Sequence, residues 1–84
     1  MKKITVYSTD FCSFCVRAKR LLDARELDYD EINLARDPDG RAELARRTGM
    51  LSFPQILVED ELDGGFIELA DAERSGRLNE LIAA

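Results

Sequence analysis

The sequence has no histidine and only two cysteines among its 84 residues. A structural zinc site normally takes four thiolate or imidazole ligands, so one chain of this composition falls well short. Two cysteines are also too few for the multi-bridge framework of a small secreted domain. No apolar run approaches the length of a membrane span. A basic excess is missing as well. Seventeen acidic side chains face twelve basic ones, for a net charge of −5 and no basic tail, which argues against electrostatic binding to nucleic acid. There are no repeats, low-complexity segments or linkers. Met1-Lys2-Lys3 resembles the charged start of an export signal, but polar Ser8-Thr9-Asp10 arrives after only four further residues. That is too short for the apolar core of such a signal, and the cytoplasm is the expected compartment.

What is present is an ordinary globular composition, 45% hydrophobic and 35% charged, in a length that suits one domain, residues 1–84, with a modest core. The pattern alternates. An apolar run from Lys3 to Tyr7 reads as a strand, and Ser13 to Arg25 as a helix with Ala18, Leu21, Leu22 and Arg25 on one stripe. Residues 28–34 read as a second strand with Tyr29, Ile32 and Leu34 inward. Asp37-Pro38 is a capping acid followed by proline at the first helical position. That helix runs to about Arg47, stops near Gly49, and has a thin apolar face of Ala42, Leu44 and Ala45. Gln55 to Val58 is short and apolar enough for a buried strand. Glu59-Asp60 turns the chain into a fourth, edge strand at Glu61 to Asp63. Gly64-Gly65 opens a helix to about Arg74, and Leu78 to Ile82 adds a last helical turn or two. A parallel βαβ unit plus a hairpin gives a four-stranded mixed sheet with helices on both faces.

Both cysteines fall in Thr9-Asp10-Phe11-Cys12-Ser13-Phe14-Cys15, where the first strand hands over to the first helix. Cys12 is placed at the helix N-terminus, whose unpaired N–H groups and dipole favour an anion. A thiol there loses its proton more easily, and the thiolate is the nucleophile. Cys15 is close enough along the chain to form a disulfide with it. A stapling bridge is the plainer explanation for such a pair, but so small a ring removes little chain entropy. The strand-to-helix setting favours thiol–disulfide exchange instead.

Three segments together resemble the dithiol glutaredoxins over nearly the whole chain. They are Cys12-Ser13-Phe14-Cys15 with Val16-Arg17-Ala18-Lys19-Arg20-Leu21-Leu22, then Ser52-Phe53-Pro54-Gln55-Ile56, similar to the family's Thr-Val-Pro segment, and Gly64-Gly65-Phe66-Ile67-Glu68-Leu69, similar to its Gly-Gly-x-x-Asp segment. The resemblance implies an α/β, thioredoxin-like fold in the order βαβαββα. It implies that Cys12 attacks and that Cys15, more buried and less acidic, resolves. Phe14 lies beside the thiol. Pro54 is expected to be cis, with the Phe53 backbone opposite the thiol to pair with the cysteinyl unit of glutathione. On its own, Pro54 reads merely as the start of a strand, since few X–Pro bonds are cis. The Ile67 and Glu68 amides would hold the γ-glutamyl carboxylate, and the Glu68 side chain its amino group. Read alone, Gly64-Gly65 is a simple turn and Glu68 a dipole-compensating acid.

The chain also departs from that family. Ser13-Phe14 stands where relatives usually have Pro-Tyr, which loses a hydroxyl and a rigid ring. Thr9 stands where a lysine is common, and Leu51 where an arginine or polar residue is. Both positions usually face the glycine carboxylate of glutathione, which is left with fewer charge-assisted bonds. Ile67 removes a polar side chain at the γ-glutamyl end.

The expected function is a glutathione-dependent oxidoreductase, monomeric, acting on glutathionylated proteins and protein disulfides, with glutathione as reductant. One alternative is a redoxin fed by a thioredoxin-type reductase. Another is a dimer holding a [2Fe–2S] cluster through Cys12 and glutathione, as relatives with Cys-Ser-Tyr-Cys do; Ser13 in place of proline is the enabling feature.

Overall fold

The computed structural model describes residues 1–83. The elements follow in the order β1 (Ile4–Ser8), α1 (Ser13–Ala24), β2 (Asp30–Asn33), α2 (Pro38–Thr48), β3 (Gln55–Val58), β4 (Glu61–Gly64), α3 (Phe66–Ser75) and α4 (Arg77–Ile82). One four-stranded sheet runs β2-β1-β3-β4. β1 pairs parallel with β2 and antiparallel with β3, and β3 and β4 form the antiparallel hairpin. The four-stranded mixed sheet expected from the alternation, and the thioredoxin-like fold that the resemblance implies, are therefore the ones observed.

Strand alternation sorts the core onto two faces. Ile4 and Val6 of β1 and Ile56 and Val58 of β3 point to one side. There they join Ala18 and Leu22 of α1, Leu69 and Ala72 of α3, and Leu78 and Ile82 of α4. On the other side, Leu57 and Gln55 are buried, and Gln55 Oε1 accepts a hydrogen bond from Thr48 Oγ1 of α2 at 2.8 Å. α2 starts as its sequence suggests. The Asp37 side chain accepts the Gly40 N–H at 2.8 Å, and Gly49 ends the helix in the left-handed region at φ 77°.

Three expectations are corrected. The second strand is confined to Asp30–Asn33, and all four residues are exposed. Tyr29, Ile32 and Leu34 could not all share a face, because side chains alternate. Tyr29 packs on the main core, while Ile32 pairs with Tyr7 and stays 40% exposed. Leu34, just beyond the strand, is buried. Ala42 is exposed and Leu44 is the buried residue of α2, so this helix covers too little of the sheet to reach Ile32. Arg25 leaves the apolar stripe at the end of α1, where its guanidinium binds Glu73 of α3 and Asn79 of α4.

Candidate active site

β1 ends at Ser8, and three residues later the chain turns through Phe11, which adopts φ 56° and is wholly exposed. A positive φ in a bulky residue is an outlier, and here it immediately precedes the first cysteine. Cys12 is the N-cap of α1, at φ −116° and ψ 102°. Its sulfur takes the place that a serine or aspartate oxygen usually fills and accepts the Cys15 N–H at 3.1 Å. Across the chain, the Cys12 thiol donates to the Phe53 carbonyl at 3.7 Å. Both cysteines are free thiols, Cys12 half-buried and Cys15 buried. Burial, then the contact with Cys12, pushes the Cys15 thiol up to about 11. Cys15 is thus an enclosed thiol that holds its proton more tightly than a free cysteine does.

The Phe53–Pro54 peptide bond is cis. Phe14, Phe53, Pro54, Ile67 and Glu68, proposed from separate segments of sequence, line one cleft of about 250 Å³. The Phe14 ring leans on Phe66, with centroids 5.9 Å apart, and the Arg17 guanidinium lies 5.4 Å from the Phe14 centroid. α3 begins at Phe66, and its first internal bond runs from Leu69 N–H to Gly65 O at 3.1 Å. The amides of Ile67 and Glu68 in the first turn therefore have no acceptor within the helix. The Glu68 side chain turns back, and Oε1 accepts the Gly65 N–H at 2.8 Å. This carboxylate caps its own helix at the place where the resemblance implies a contact with a ligand's amino group.

Thr9 and Leu51, the positions of the missing cations, do not line one common groove. Leu51 is 86% exposed. Thr9 lines a second, open groove together with Cys12, Cys15, Lys19 and Glu31. Sequence reading missed this groove's polar wall. Lys19 could have been found from its spacing to Cys15 on one helix, whereas Glu31 reaches the site only through the β1–β2 register. Among the described residues no group of three or more His, Cys, Asp or Glu side chains is disposed to hold a metal ion. Cys12 is the more exposed thiol, so a cluster would need Cys12 of a second copy and outside thiols.

The glutaredoxin family model matches residues 4–62. Over 84 residues the chain is 39% identical to a glutaredoxin of Pseudomonas aeruginosa, covering 100% of both. It is 36% identical over 83 residues to a glutaredoxin of Neisseria meningitidis serogroup B, covering 98% of both. The solution structure of glutaredoxin from Brucella melitensis superposes with a TM-score of 0.86 at 34% identity, over 98% of this chain and 89% of that one. A crystal structure of a buckwheat glutaredoxin–glutathione complex gives a TM-score of 0.86 at 28% identity, over 94% of this chain and 74% of that one.

Proposed function

Because the chain belongs to the glutaredoxin family of thiol–disulfide oxidoreductases, we propose that it reduces glutathione mixed disulfides on proteins, and protein disulfides, with glutathione as electron donor. The observation that carries this reading is the placing of Cys12 Sγ between the Cys15 N–H and the Phe53 carbonyl. That sets the sulfur beside a cleft that also holds the first turn of α3. The Cys12 thiolate attacks the glutathione sulfur of the mixed disulfide. A Cys12–glutathione disulfide forms, and the substrate thiolate leaves and takes a proton from water. A second glutathione then attacks the adduct, giving glutathione disulfide and free Cys12. With a protein disulfide, Cys15 closes on Cys12 instead, and two glutathiones later reopen the bridge. The Phe53 main chain is the partner for the cysteinyl unit. The first-turn amides of α3 suit a carboxylate. The buckwheat glutaredoxin solved with glutathione, similar in fold, supports the same ligand here.

The test is steady-state reduction of a glutathionylated peptide. Cys15→Ser should keep turnover, since glutathione resolves Cys12 directly. Cys12→Ser should abolish it, since Cys15 is buried. Substantial activity in the Cys12 variant would overturn the assignment.

A further inference from the structure

Cys15 has to lose a proton before it can attack, and burial opposes that loss. The second groove holds the group that bears on this problem. Cys15 and Lys19 are four residues apart on α1 and so project from one helix face. Both line the groove together with Glu31. Lys19 Nζ is 3.0 Å from Glu31 Oε2, and the same oxygen accepts a hydrogen bond from Ser8 Oγ at 2.7 Å. Ser8 is buried, so the carboxylate is anchored from the core side and the ammonium from the carboxylate. Three elements, β1, β2 and α1, thereby hold one cation against the wall that Cys15 occupies. Cys12 raises the Cys15 thiol, while the Lys19 charge and the Thr9 main chain act to lower it. Asp10 and Glu31 also face the groove.

We propose that Lys19, fixed by the Ser8–Glu31 anchor, is a positioning residue for the resolving step, holding positive charge where the Cys15 thiolate forms as it attacks the mixed disulfide on Cys12. The step is balanced. Cys15 gives its proton to water, its sulfur forms a bond to Cys12 Sγ, the bond from Cys12 to the substrate sulfur breaks, and the departing thiolate is protonated by water. The inference takes the Cys12-attacks, Cys15-resolves reading as its premise, but its test needs no glutathione.

The test mixes the reduced protein with excess 5,5′-dithiobis(2-nitrobenzoate) in a stopped-flow instrument and follows the coloured thiolate. Attack by Cys12 releases one equivalent in proportion to reagent concentration. Closure by Cys15 releases a second at a rate independent of reagent, and Cys15→Ser lacks that phase. In Lys19→Met the second phase should slow about fivefold near neutral pH. Its pH profile should move to higher pH and meet the wild-type plateau in strong alkali, and Lys19→Arg should restore it. A closure rate unchanged at every pH, or lowered by one constant factor at every pH, would overturn the proposal. Failure of the broader reading shows elsewhere, as loss of glutathionylated-peptide reduction in Cys15→Ser.

Discussion

Asp63 is an ionisable side chain with 2% of its surface accessible. Oδ1 has Arg77 Nη2 at 3.3 Å, and Oδ2 is buried without a partner. Burial raises its carboxyl above the usual range, Arg77 opposes that, and the Glu68 charge adds to it. Arg77 is itself 53% exposed, so the pair is closer to a surface ion pair in strength than to a buried one. A well-packed apolar residue in place of a poorly satisfied charge is often stabilising. Asp63→Val should therefore raise stability at pH 7 by about 1 kcal/mol, read as a higher urea midpoint with an unchanged slope. A fall in the midpoint would mean that the Arg77 contact is worth more than its length suggests. Nothing local in Glu61-Leu62-Asp63 marks Asp63 as enclosed, because its cover comes from elsewhere in the chain. Cys12 and Cys15 were legible for the opposite reason, since thiol chemistry is unusual whatever surrounds it, whereas the cis form of Pro54 was implied only by the family resemblance.

Among the elements, the start of α3 is the one most tightly specified by its own sequence. Gly64 has φ 134°, a conformation that side chains disfavour. A Cβ there would sit 2.8 Å from Glu68 Cβ and 2.6 Å from Glu68 Oε1. The Oε1 contact could swing away, but the Cβ contact is fixed by the helix. Gly64→Ala should cost about 2–3 kcal/mol, seen as a lower thermal midpoint. Gly65→Ala should be milder, because its Cβ meets Pro54 O at 3.4 Å and its φ is −92°. Equal losses in the two variants would contradict this account. That Gly64-Gly65 opens a helix is legible in the sequence, but why the first glycine, the last residue of β4, is needed is not. β2 shows the converse. Its existence was readable from the sequence, and alternation alone separates Tyr29 from Ile32, but the exposure of Ile32 was not readable, because an edge strand with little cover does not bury what its pattern offers.

At the scale of the molecule, the β1–β2 and β3–β4 pairings follow from two local rules, a parallel pair across a helix and a tight hairpin. These two pairings, though not the β1–β3 contact that sets the sheet order, could be read in advance. The pH dependence of stability could not, because it depends on contacts between distant segments. Two carboxylates set it in opposite directions. Glu31 is lowered, first by the Ser8 hydrogen bond and then by Lys19. Its stabilisation is present above the unfolded value and is lost as pH falls through the folded one. Asp63 is raised. The folded state binds that proton first, so the strain of burying the charge is relieved as pH falls through the raised value towards the unfolded one. The wild-type protein should thus lose stability on acidification less steeply than Glu31 alone would dictate. Removing either contribution should expose the other. Asp63→Val, more stable at pH 7, should lose its advantage as pH falls to about 3.5. Ser8→Ala, less stable at pH 7, should draw closer to wild type over the same range. Thermal midpoints measured at intervals of half a pH unit give the three curves. Should all three run parallel, neither contact titrates as its surroundings imply, and the acid sensitivity must come from the net charge alone.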